Sequence, residues 1–209
     1  EAQYVTVATY RELERAASAA GVELVPTEGL VERLRVRKSA DELGVMREAI
    51  QIADEAFEHA WRSLEPGMTE RQVAWQIERH MREHGADSVS FDLIVAAGPN
   101  AALPHHRPGD RPIAPGEPVV IDIGAKLRGY CSDMTRTVCI GEPDARFAEI
   151  YSIVLEAQEK AEREIRPGMT GGEADAIARD YIVAAGYGEA FGQDRKSTRL
   201  NSSHANISY

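Results

Sequence analysis

The chain has 209 residues, 43% of them hydrophobic and 28% charged, the balance of a globular protein with one substantial core or one core and a fragment of another. A formal charge of -10 and a pI near 5.1 argue against nucleic-acid or anionic-membrane partners, which would need a basic surface. No stretch approaches a membrane span, and the opening EAQYVTVATY lacks the basic and apolar regions of a secretory signal.

The chain opens on Glu1 with no initiator methionine, so a start inside a longer protein is expected. Residues 3–8 predict a short strand, 9–20 an Ala-rich helix closed by Gly21, and 22–25 a second strand. A lone β-α-β unit of this size cannot bury its own faces, which marks residues 1–30 as the end of a larger α/β domain. Ser39 with Glu42 makes a capping box, and the stripe Leu43, Met46, Ile50, Ala53 and Phe57 carries a helix to about Ser63. Pro66-Gly67 ends it. Thr69 with Gln72 makes a second box for a helix to His84, closed by Gly85. His80 and His84 fall one turn apart, the spacing of a zinc pair, but no H-E-x-x-H motif accompanies them. Two imidazoles in a last turn suit the negative end of the helix dipole, and a surface role is expected.

Residues 89–97 (VSFDLIVAA) read as a buried strand that leads into GPNAALPHHRPGDRP. A loop pinned by Pro104 and Pro108 can hold a histidine over a cleft, although loop histidines are commonly just solvated. Next comes VVIDIGAKLRGYCSDMTRTV, residues 119–138, two β-rich runs joined by a turn. With the turn centred on Leu127-Arg128, Asp122 stands opposite Asp133 on one face, Cβ atoms roughly 5 Å apart. Like charges so placed call for a cation, and a divalent metal is the simplest. A longer turn with one aspartate in solvent is equally compatible with the spacing. Cys131 and Cys139, roughly 26 Å apart if on one strand, are beyond disulfide reach and read as free thiols of a reducing cytoplasm, Cys131 as a small buried filler. Arg146 to Arg166 is an amphipathic helix, after which Pro-Gly-Met-Thr recurs 101 residues beyond its first occurrence at Pro66. Thr170 with Glu173 repeats the capping box and Gly186 repeats Gly85, so an internally duplicated domain is predicted.

The run D-I-G-A-K-L-R-G-Y-C-S-D-M-T-R-T closely resembles the metal-binding hairpin of the pita-bread metallopeptidases, namely aminopeptidase P, prolidase and methionine aminopeptidase. The resemblance implies an incomplete pita-bread fold of the α+β class over residues 31–192, preceded by the remnant of an N-terminal α/β domain. That remnant favours the proline-directed members. It further implies that Asp122 and Asp133 bind a pair of divalent ions, foremost Mn2+, with Co2+, Zn2+ or Fe2+ as alternatives. G-P-N-A-A-L-P-H is similar to the family's substrate-side loop, which gives His105 a catalytic role beside the scissile carbonyl and leaves His106 without a counterpart. The implied substrate is a peptide with proline in second position, and the implied parent is a cytoplasmic homodimer. A non-catalytic homologue that binds peptide or protein is the alternative reading, and retention of both aspartates and of the P-H loop favours the enzyme.

The family pattern requires one further His and two Glu as metal ligands, and after Phe191-Gly192 the sequence reads QDRKSTRLNSSHANISY instead of a His-Gly strand. This segment, 193–209, carries two Asn against one in the first 192 residues and a net charge of +2 against -12, so it reads as a non-family tail. His204 lacks the expected context and receives no role.

Overall fold

The computed structural model describes residues 5–191. They divide into two units, the first ending at Lys38 and the second beginning at Ser39.

In the first unit, Thr6 caps helix α1 (Val7–Ala19), its hydroxyl accepting from the Thr9 amide at 3.2 Å, and Gly21 (φ +69°) ends the turn that follows. Helix α2 spans Leu30–Val36. The predicted β-α-β unit is not formed among the described residues. Residues 7 and 8 belong to α1, and 22–25 form no strand and have no strand partner among the described residues. Val22, Leu24 and Val25 carry the β-propensity that suggested a strand, but a strand exists only where a neighbour accepts its ladder.

The second unit is built as expected from helix starts. Both boxes close at α3 (Ala40–Arg62) and α4 (Glu70–Glu83): the Ser39 hydroxyl accepts from the Glu42 amide and the Thr69 hydroxyl from that of Gln72, with each partner side chain reaching back. The two helices bury Ile52, Ala53, Ala56, Ala60, Val73, Ile77 and Met81 in one core with apolar residues of the strands. The strands β1 (Ser88–Val89), β2 (Ile94–Ala97), β3 (Pro118–Ile123), β4 (Ala125–Leu127), β5 (Tyr130–Cys131) and β6 (Met134–Cys139) form two three-stranded antiparallel sheets, ordered β1-β4-β5 and β2-β3-β6. Strand β3 alternates strictly, with Val119, Ile121 and Ile123 buried and Val120 and Asp122 half-buried. One face is core, and Asp122 leaves the other.

The single strand predicted over 89–97 is instead broken. Between the pairs Val89↔Ala125 and Ile94↔Asp122, five steps on one side answer three on the other, a bulge that bends the chain past Gly124. Ser90 spans the bend, its amide donating to the Gly124 carbonyl and its hydroxyl to that of Ser132, both at 2.8 Å.

Beyond the hairpin, α5 (Ala145–Glu164) and α6 (Gly171–Ala184) pack on each other. The predicted repeat appears in the local geometry. Helices α4 and α6 are offset by 101 residues at both ends, and each follows a glycine of similar φ, +90° at Gly67 and +95° at Gly168. Met68 and Met169 each accept a backbone N–H at 3.4 Å, from Glu65 and Arg166. Ala56 and Ala157 are buried at matching places, as are Met81 and Ile182. Thr69→Ala is therefore expected to lower stability by about 1 kcal/mol, and Thr170→Ala by a similar amount, each read as a fall in urea midpoint at constant slope.

Candidate metal and substrate site

The hairpin keeps one offset in both of its ladders, Lys126↔Cys131 and Leu127↔Tyr130 near the turn and Ile123↔Met134 to Pro118↔Cys139 beyond it. Its turn is the two-residue pair Arg128-Gly129, with φ of +49° and +86°, one residue later than the sequence suggested. Glycine bears the second left-handed position of such a turn without steric cost, whereas a turn on Leu127-Arg128 would place two side-chain-bearing residues there. Arg128 is held in this unusual conformation by its amide, 2.6 Å from Asp87 Oδ2, and by an ion pair with Glu48.

The shift moves Asp122's partner from Asp133 to Thr135. Because the partner changes by two residues, side-chain parity and hence the face are preserved. Ser132 is buried on the core side, where its hydroxyl accepts from the Ala125 amide at 2.9 Å and donates to the Ala49 carbonyl at 3.1 Å. Asp133, next to it, is exposed on the opposite side, the side of Asp122. Burial pushes the Asp122 carboxyl up, the Thr135 hydroxyl donating at 2.8 Å pulls it down, and the charge of Asp133 pushes it up again, the net direction being upward. Asp133 thus sits close enough to oppose the ionisation of Asp122, the chemistry of a site that a divalent cation relieves.

Gly124 lies between them at the bend. A methyl there would collide with the Ser132 carbonyl and lie 2.8 Å from Ser90 Oγ. Since both obstacles are fixed by hydrogen bonds, Gly124→Ala is expected to cost roughly 3 kcal/mol or more, visible as a drop of the thermal midpoint.

His105 is exposed on the loop that follows a short 3-10 turn, Gly98–Ala102. This loop leaves β2 at Ala97, paired with Val119, so its base lies three residues, roughly 10 Å, along β3 from Asp122. His106, unassigned from sequence, contacts Glu70, a buried carboxylate that sequence reasoning missed. It is completely buried and accepts four hydrogen bonds.

His80 stacks face to face with His84 (centroids 3.8 Å) and with His59 (4.6 Å), so the rings present faces to one another and do not converge on an ion. Burial, then the charges of His84 and His59, push the His80 imidazole down. Among the described residues, no group of three or more His, Cys, Asp or Glu side chains is arranged to hold a metal. Cys131 and Cys139 are free thiols, but Cys131 is exposed, a correction to the buried filler, because it lies on the uncovered side with Asp133. No described helix is long and apolar enough to cross a membrane. Residues 193–209, His204 included, lie outside the described residues.

The profile of metallopeptidase family M24 matches residues 44–197, and the chain belongs to that family. It is 47% identical over 192 residues to an uncharacterised peptidase, YqhT, of Bacillus subtilis, covering 92% of this chain and 54% of that one. Among solved structures it is similar to the Xaa-Pro dipeptidase from Bacillus anthracis (TM-score 0.86, 46% identity, 90% of this chain, 52% of that chain). It is likewise similar to the X-Pro aminopeptidase from Thermotoga maritima (TM-score 0.84, 39% identity, 90% and 53%). The fold is therefore the pita-bread fold of these peptidases, and the chain spans about half the length of the relatives it matches.

Proposed function

We propose that this chain supplies the hairpin carboxylates and the substrate-side loop of a dinuclear metallopeptidase that cleaves Xaa-Pro peptides or dipeptides. The observation that carries the reading is the like-charged pair Asp122 and Asp133 on the open side of β3 and β6, with Asp122 pushed upward in part by Asp133. These two residues would hold the ions, and their hard oxygen donors suit Mn2+ ahead of softer ions. Divalent ions bound there supply Lewis acidity and an acidified water. The chain's own part is to fix the carboxylates through the Ser90–Gly124–Ser132 bend and to present His105. From the loop, the imidazole would donate to the oxygen of the scissile carbonyl as charge develops on it.

Residues 31–192 would belong to the catalytic domain and 1–30 to a preceding α/β domain, with the third to fifth metal ligands in the span of the relatives that this chain does not cover. The two free thiols support a cytoplasmic setting, and family resemblance supports a homodimer for the whole protein. The test compares the 209-residue chain with a protein extended through the full length of its relatives. The extended protein is expected to release the N-terminal residue of an Xaa-Pro peptide with Mn2+, and the 209-residue chain is expected to release none. Tight stoichiometric binding of two ions by residues 1–209, with metal-dependent release, would overturn the division of ligands. An extended protein inactive with every divalent ion would overturn the peptidase reading itself.

A further inference from the structure

The arc 98–109 that presents His105 is held from inside by one carboxylate. Glu70, the first residue of α4, accepts at Oε1 from the Ala97 amide and Asn100 Nδ2, both at 2.9 Å. Its Oε2 accepts from His106 Nε2 at 2.7 Å and from the Gly109 amide at 3.1 Å. Two donors precede His105 in the chain and two follow it. At the arc's start Gly98 (φ +54°) passes so close to the bidentate Arg111–Glu117 pair, both contacts 2.7 Å, that a methyl there would strike the Glu117 carboxylate.

Helix α4 does not need this glutamate. Thr69 and Gln72 already cap it, and in the repeat Gly171 occupies the equivalent place at the start of α6 under the same kind of box. Losing one member of such a buried network destabilises, but an apolar core is commonly no less stable than a buried ionic one, so stability alone does not account for a glutamate at this place. What four fixed contacts confer is one loop geometry. His105 itself makes no side-chain hydrogen bond or ion pair among the described residues, which leaves its imidazole available to a ligand. We propose that Glu70, acting through His106, is the positioning residue that sets His105 against the substrate. The inference rests on the reading of His105 as the residue facing the scissile carbonyl.

The kinetic arm of the test uses the protein extended through the length of its relatives, loaded with Mn2+, and an Xaa-Pro dipeptide. Glu70→Gln is expected to lower kcat by about a hundredfold, with KM and metal content little changed, and to cause no further loss in a His105→Ala background. Equal losses in both backgrounds, or a loss of metal, would overturn the proposal. The second arm uses the 209-residue chain, where Glu70→Gln is expected to abolish exchange protection of the Gly109 amide and to shift the His105 ring resonances. Unchanged protection and resonances would overturn the clamp whether or not the extended protein is a peptidase. Should Glu70→Gln not fold, His106→Ala, which leaves three of the four contacts, carries both arms with the same expected directions.

Discussion

Glu70→Ala is expected to destabilise the chain by roughly 3–5 kcal/mol, the range for removing one partner of a buried charged network. The substitution leaves the buried Ala97 amide without its acceptor, together with the Gly109 amide and the side chains of Asn100 and His106. It also opens a void beneath the arc. The pH dependence separates this from simple loss of packing. Burial pushes the Glu70 carboxyl up, but the hydrogen bonds from Ala97, Asn100, His106 and Gly109 outweigh it and hold the group below its ordinary value of 4.5. A group depressed in the folded state stabilises above its unfolded value and loses that contribution as pH falls through the folded one. The gap between wild type and Glu70→Ala in urea denaturation should therefore be full at neutral pH and narrow as pH falls below 4.5. A gap below about 1 kcal/mol at pH 7, or one that widens in acid, would show that the network does not hold the loop.

Asp122→Asn is expected to act in opposite directions on activity and on stability. In the extended protein it should lower kcat/KM by more than about 100-fold, because even groups that only orient a metal ligand are worth 10–100-fold. In the metal-free 209-residue chain the same change removes one of two like charges and part of the cost of burying a carboxylate, while an amide oxygen can still accept from Thr135. Stability should rise by about 0.5 kcal/mol. Asp133→Asn should relieve the same repulsion. Loss of activity with a gain in metal-free stability marks a pair maintained for a ligand. A fall in metal-free stability for both variants would mean that the carboxylates serve the fold and that their proximity has no functional content.

Elements whose signals lie within about one turn of the chain were legible in the sequence. The capping boxes at Ser39, Thr69 and Thr170 each join a hydroxyl and a side chain three residues apart, so the helix starts could be read locally and were found at those residues. The repeat was visible for the same reason, since each of its marks is a short local signal recurring at one offset. The shared face of Asp122 and Asp133 survived a misplaced turn because parity in a hairpin tolerates a shift of two, whereas the partner residue does not. The strand expected at 22–25 failed because β-propensity describes a surface that fits a sheet and cannot supply the neighbouring strand. Burial of Glu70 was decided by the tertiary structure alone. In the sequence it is an ordinary acidic residue in a first helical turn, and its partners lie 27 to 39 positions away on a strand end and a loop. One local trace of it exists, the Gly171 that replaces it in the second copy of the motif, but only the packing of α4 under the arc converts that asymmetry into a buried carboxylate with four donors.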